Sequence, residues 1–303
     1  MLKCKLYLVV LLIALSEALP AQQKKQAEYS IPFQLTEYNN ISVQAILNKK
    51  DTLQLMFHTA ANSVMLTEDG VKKLKSMVFD RTDTVKSWGG GGNASRYSKI
   101  NSLQIGALTF DSVPIWEDKN SGQHTDGKFG PNLFAGKVLE IDFDENVIRL
   151  YASLPRKIKK YQKLRLAFEN DMMFLEAICE TGKGSYPNRY LIHSGYAGAV
   201  LFDDRFVSDN KLAEQLTVVA EKQMTDSYGH VLKTKNVVLP AFIVGHEKLL
   251  NIPAGFFEGA IGRHKMSIVG GDVLKRFNII IDAQRQYIYL KANKLKRTGY
   301  LNV

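Results

Sequence analysis

The chain has 303 residues, is 45% hydrophobic and 23% charged, and carries a formal net charge of +10. That length and apolar content bury one large core or two smaller ones, and they exclude a disordered chain. No recognition motif accompanies the basic excess, so nucleic acid is not an expected partner.

The chain opens with the basic stretch Met1 to Lys5, continues with the apolar run Leu6 to Leu15, and reaches the small residues of Ser16 to Ala21. Basic, apolar, small is the order of a cleavable export signal, here residues 1–21 with a cut after Ala18 or Ala21. The apolar run is about half of the ~20 residues that a spanning helix needs, so the mature chain is expected to have no membrane span. The expected location is secreted, or periplasmic and cell-envelope. Removing the signal leaves Cys179 as the one cysteine, so no internal disulfide is available, which leans toward a bacterial envelope. Cys179 sits in an apolar run and reads as a small buried hydrophobe.

Beyond the signal, short apolar or alternating runs read as strands: Ile41 to Leu47, Leu53 to Phe57, Leu103 to Ile105, Val138 to Phe143 and Val147 to Tyr151. Thr67 to Leu74 looks like a capped helix start, and Asp209 to Val219 like a second short helix. The architecture expected is all-β with a few short helices. The densest basic stretch, Arg156 to Arg165, reads as a solvated face or linker, with an anionic surface or acidic ligand as the functional alternative.

The chain repeats itself. Gly130 precedes Asp142 by twelve positions and Gly270 precedes Asp282 by twelve; each Asp precedes a Leu, Leu150 or Leu290, by eight. Upstream, Leu55-Met56-Phe57-His58-Thr59-Ala60-Ala61 matches Leu191-Ile192-His193-Ser194-Gly195-Tyr196 in the same order. The organisation expected is a signal at 1–21, one lobe at 28–154, a basic linker at 155–163 and a second lobe at 164–303.

These elements, in order and twice over, resemble the pepsin and retropepsin family, and the Val269 to Phe277 stretch resembles its bacterial secreted members. The resemblance implies a bilobed double barrel, a tandem of retropepsin-like halves, with a cleft between lobes and a flap hairpin on each. Each family lobe carries a hydrophobic strand ending in Asp-Thr/Ser-Gly. Here those positions read His58-Thr59-Ala60 and His193-Ser194-Gly195, so both expected catalytic aspartates are histidines. The family mechanism shares one proton between two carboxylates. Imidazoles, with ordinary pKa near 6.5, do not reproduce that state, so standard aspartic proteolysis is not expected. Thr59, Ser194 and Gly195 keep the supporting residue types.

A second symmetric pair stands in register. His124 lies six residues before Gly130, and His264 lies six before Gly270. Three readings stay open. His58 and His193 hold the lobes together without chemistry; or they bind Zn²⁺ or another transition metal, with His124 or His264 completing the shell; or one acts as base and the other as acid in hydrolysis. A peptide or small ligand in the cleft is the expected partner. Trp88 and Gly90, in the Gly-rich Trp88 to Asn93 segment, belong at a hairpin tip over that cleft. Asp226 to His230 turns the matching hairpin, which places Tyr228 as a further cleft candidate. Asp142, Asp282, Asp126 and Asp272 read as structural carboxylates.

Overall fold

The structure, a computed structural model, describes residues 27–86, 92–119, 122, 124–225, 231–257 and 265–301. The expected export signal at 1–21 lies outside the described residues. The first half contains β1 (Tyr29–Pro32), β2 (Gln34–Leu35), β3 (Ile41–Leu47), β4 (Asp51–Phe57), β5 (Val64–Thr67) and β6 (Arg81–Lys86). It continues with β7 (Gly92–Ile105), β8 (Leu108–Asp118), β9 (Gly127–Phe129), β10 (Val138–Asp142) and β11 (Val147–Tyr151). The second half contains β12 (Gln162–Arg165), β13 (Ala167–Glu169), β14 (Met172–Glu180), β15 (Ser185–His193), β16 (Val200–Leu201) and β17 (Val218–Thr225). It ends with β18 (Val231–Val244), β19 (Glu247–Phe257), β20 (Ser267–Gly270), β21 (Phe277–Ile281) and β22 (Tyr287–Ala292). Four short helices accompany them among the described residues: α1 (Glu68–Lys72), α2 (Asp204–Asp209), α3 (Leu212–Gln215) and α4 (Gly271–Leu274).

The sequence repeat is a repeat of topology. One eight-stranded sheet runs β2-β3-β4-β9-β5-β8-β7-β6 and is closed by a β3–β7 pairing. The other runs β13-β14-β15-β20-β16-β19-β18-β17 and is closed by β14–β18. Each strand of the first has its counterpart in the second, so the fold is all-β and bilobed. Alternation shows why these residues form strands: β3 buries Ile41, Val43, Ala45 and Leu47 on one face of its sheet.

A third sheet joins the lobes in the order β1-β11-β10-β21-β22-β12. Its two central strands, one from each half, pair antiparallel with Leu139 opposite Ile281, Glu140 opposite Ile280 and Ile141 opposite Ile279. Every residue of β10 and of β21 is buried, as expected for strands covered on both faces. The basic segment takes part in this cover. Arg156–Lys160 forms a 3-10 turn, and Ile158 and Tyr161 pack against Val138, Tyr151, Ile280 and Tyr289. Lys157 Nζ stands 2.6 Å from Oε1 of the fully buried Glu140, whose other oxygen accepts a hydrogen bond from Tyr151 Oη at 2.6 Å. Lys159 and Lys160 are exposed, whereas Lys157 reaches a buried carboxylate, and the chain is back in a strand, β12, by Gln162.

The second expected helix, Asp209 to Val219, is shortened to α3, and α2 precedes it. Asp203 caps α2 through a 2.8 Å bond accepted from Phe206 N–H, so helix begins before Asp209. Lys211 adopts a left-handed conformation with φ of 50°, which separates α2 from α3, and Val218 already belongs to β17. The first helix forms where its cap places it: Thr67 Oγ1 accepts from Gly70 N–H at 2.9 Å.

Candidate functional site at the lobe junction

In each half, a short strand slips between the two strands that flank the conspicuous loop. β9 runs parallel to β4 and antiparallel to β5, and β20 does the same between β15 and β16. The loop leaving β4 then crosses directly over Gly130, where a Cβ would sit 1.8 Å from the Ala61 carbonyl oxygen. At Gly270 the equivalent distance to the Gly198 carbonyl oxygen is 2.2 Å. Glycine at these two positions is what lets both loops reach the junction.

The two loops lock into each other with near-twofold symmetry. Thr59 N–H donates to Ser194 Oγ at 2.9 Å, and Ser194 N–H donates to Thr59 Oγ1 at 2.9 Å. The hydroxyls pass their own protons on across the junction, Thr59 to Ile192 O at 2.7 Å and Ser194 to Phe57 O at 2.8 Å. Thr59 and Ser194 are buried, so these four bonds replace water that the groups have lost.

The locked loops hold the His58 and His193 rings against each other in a tilted arrangement, with ring centroids 4.4 Å apart and planes inclined by 59°. His58 Nδ1 accepts the Ala60 N–H at 3.2 Å, which assigns its proton to Nε2. Burial, then repulsion from His193 and from Lys128, holds the His58 imidazole well below the ordinary pKa of 6.5. His58 is therefore neutral at neutral pH. The pair is not symmetric: the His58 ring lies over the backbone of Gly195, whereas Ala60 puts a methyl group at the matching place in the first loop. His58 is buried and His193 half-buried.

No family model matches this chain, and no curated protein matches it. Among solved structures, the crystal structure of aspartic proteinase from Irpex lacteus is similar at a TM-score of 0.58. The match covers 89% of this chain and 98% of that one, at 12% identity. The fold is pepsin-like. At that identity the likeness speaks for the fold alone.

Within this pepsin-like fold, the expected metal set does not assemble among the described residues. His124, exposed and with a left-handed φ of 58°, stacks on Tyr38 at 4.9 Å and reaches Tyr38 Oη at 3.3 Å. It joins Glu37 and Tyr38 rather than His58 and His193, so the reading of His124 as a shared ligand is corrected. Among the described residues, no group of three or more His, Cys, Asp or Glu is placed to hold a metal ion. His58 and His193 offer two of the three or four ligands that Zn²⁺ takes, and the nearby Lys128 ammonium adds none. His264, Trp88, Gly90 and Tyr228 lie outside the described residues. Pairing of Lys86 with Gly92 and of Thr225 with Val231 does bring the two hairpins up to the segments that carry Trp88, Gly90 and Tyr228.

The carboxylates set aside in the sequence are structural. Asp142 Oδ1 accepts from Asp144 and Glu145 N–H groups, and Asp282 Oδ1 from those of Gln286 and Tyr287. Asp126 takes Gln54 N–H and Lys73, while Asp272 takes Lys275, Arg276 and Leu301 N–H. Cys179 is buried and its thiol is pushed up to about 12, which keeps it protonated and inert. A concavity of about 670 Å³ lined by Val64, Phe110, Pro114 and Leu133 contains neither histidine.

One part of the neighbourhood was missed in the sequence. Lys128 and Asp118 form an ion pair at 3.4 Å, with side chains 12% and 0% exposed. Its signal was available in the repeat, because Lys128 falls in register with Ile268 of the second half.

Proposed function

We propose that this is an exported protein of pepsin-like fold that uses its inter-lobe cleft to bind a peptide or other ligand, without standard aspartic proteolysis. The observation that carries this reading is the His58/His193 contact at 4.4 Å, at the positions where the family resemblance expects the aspartate dyad. An aspartic dyad needs one ionised carboxylate to take a proton from water and one protonated carboxylate to polarise the carbonyl. The charges that move His58 come instead from His193 and Lys128, both bases, so no shared-proton anion forms there. The retained locking of Thr59 to Ser194 supports a scaffold still built to present a floor to a ligand. The basic-apolar-small leader supports export.

One observation favours a second reading, a hydrolase run by the histidine pair. His58 is fixed as an Nε2–H donor by the Ala60 amide, with a second imidazole beside it able to act as base. A peptide-library cleavage and binding assay on the wild type and His58→Ala decides between them. Binding without cleavage supports the first reading. Cleavage that disappears in His58→Ala overturns it in favour of the second.

A further inference from the structure

β4, β9, β5 and β8 turn one face to the core of the first lobe, through Leu55, Phe57, Phe129, Val64, Leu66 and Ile115. The other face carries a cross-strand row: Met56 opposite Lys128, Lys128 opposite Met65, and Met65 opposite Trp116. Asp118 follows Trp116 by two positions, so it shares that face, and there it meets Lys128. The row begins two residues before His58, and Lys128 is close enough for its charge to repel a proton on that ring.

The second lobe shows what the framework itself needs at these places. Its matching row is Leu191 opposite Ile268, and Ile268 opposite Leu201, apolar throughout. The β20 insertion is thus made with isoleucine where β9 has lysine. A buried ion pair is a poor stabiliser against well-packed apolar residues, since desolvating both charges offsets their attraction. The fold therefore gives no reason for Lys128 and Asp118. The pair is also oriented: Asp118 is fully covered while the Lys128 side chain keeps 12% exposure, so of the two it is the lysine that a ligand can reach.

We infer that Lys128 is a specificity-determining residue which receives a carboxylate of the bound peptide. Its ammonium donates to that anion, and Asp118, 3.4 Å from the same ammonium, holds it in place from the covered side. The carboxylate is supplied by an acidic side chain or by the peptide's own C-terminus. The inference rests on the cleft-binding reading above.

The test is fluorescence polarisation of full mature protein with octapeptide pools that differ only in Glu, Gln, Leu or Lys at one scanned position. Pools with amidated and with free C-termini separate a side-chain carboxylate from a terminal one. Wild type should favour a carboxylate over its neutral match by about tenfold at one position, the equivalent of one charge-assisted contact. Lys128→Ile combined with Asp118→Val, which copies the apolar character of the second lobe, should lose that preference and still bind Leu pools. Asp118→Asn, which removes the counter-charge and keeps the shape, should deepen the preference, and it decides the matter should the double variant not fold. A wild type that binds peptides without acidic preference overturns the inference and leaves the cleft reading standing. So does a double variant that keeps the preference, or an Asp118→Asn variant that does not deepen it. A wild type that binds no pool at all overturns both.

Discussion

Gly195 lies so close beneath the His58 ring that a Cβ at residue 195 would come within 2.3 Å of Cδ2 and 2.5 Å of Nε2. Contact of a glycine from one lobe with a histidine from the other fixes which imidazole is covered and which remains more accessible. Gly195→Ala should therefore destabilise the protein by about 1–3 kcal/mol, the usual effect of overpacking a buried site. Urea denaturation measures the loss. An unchanged midpoint would mean that the ring has somewhere else to go.

The Thr59 and Ser194 hydroxyls act as one unit. Removing either strands buried N–H and C=O partners in the opposite lobe, at about 1–3 kcal/mol per stranded group. Thr59→Val and Ser194→Ala should each be destabilising, and the double variant should lose less than the two singles together. A double-mutant cycle with additive losses would contradict the interlock.

His58 makes stability pH-dependent with a definite sign. Above pH 6.5 it is neutral whether the chain is folded or unfolded, and contributes no slope. As pH falls below 6.5 the unfolded chain binds a proton that the folded chain refuses, so stability declines and levels off only below the depressed folded pKa. Comparing wild type with His58→Gln cancels the other groups. The wild-type curve should fall more steeply below pH 6.5, by up to about 1.4 kcal/mol per pH unit. Parallel curves would show that the ring is not held neutral.

Lys157→Met leaves the carboxylate of Glu140 buried with Tyr151 and the more distant Arg149 as its remaining partners. A loss of about 2–3 kcal/mol is expected, below the full effect of stranding a buried charge because those partners stay. Glu140→Leu in the same chain should restore most of it, and thermal melts of the three variants check the order.

Chelation should change nothing at the histidine pair. EDTA and added Zn²⁺ should each leave the melting temperature of metal-free protein within error, and native mass spectrometry should find no bound zinc. A stoichiometric metal lost in His58→Ala would restore the ligand-set reading.

The repeat was legible in the sequence because its anchors are single residues with stringent local demands. Gly130 and Gly270 admit no Cβ, and the strands leading to His58 and His193 end in the apolar runs Leu55-Met56-Phe57 and Tyr190-Leu191-Ile192. Those features were enough for the two lobes and for the matching places of the histidines, whereas the reciprocal Thr59–Ser194 bonds emerge only in the structure. What failed were inferences that a spacing cannot carry. His124 keeps its symmetric place in the chain, yet a left-handed turn and a stack on Tyr38 take its ring to a different partner. The α2 boundary was missed because a capping Asp203 outranks the later helix-forming residues. Lys128 hid inside a motif whose glycine drew attention, although comparison with Ile268 singles it out.

The central sheet bears on how the two half-chains assemble. The β10–β21 pairing centres on Glu140 opposite Ile280, and these two are equivalent residues of the repeat. A second copy of the first half, offering its own β10 edge in the same register, would set Glu140 against Glu140, and two buried carboxylates repel. The second half pairing with itself would set Ile280 against Ile280 and meet no such barrier. One acidic residue thus biases the first half-chain toward its covalent sister and away from its own duplicate, so the preference for a mixed pair is carried by one half alone.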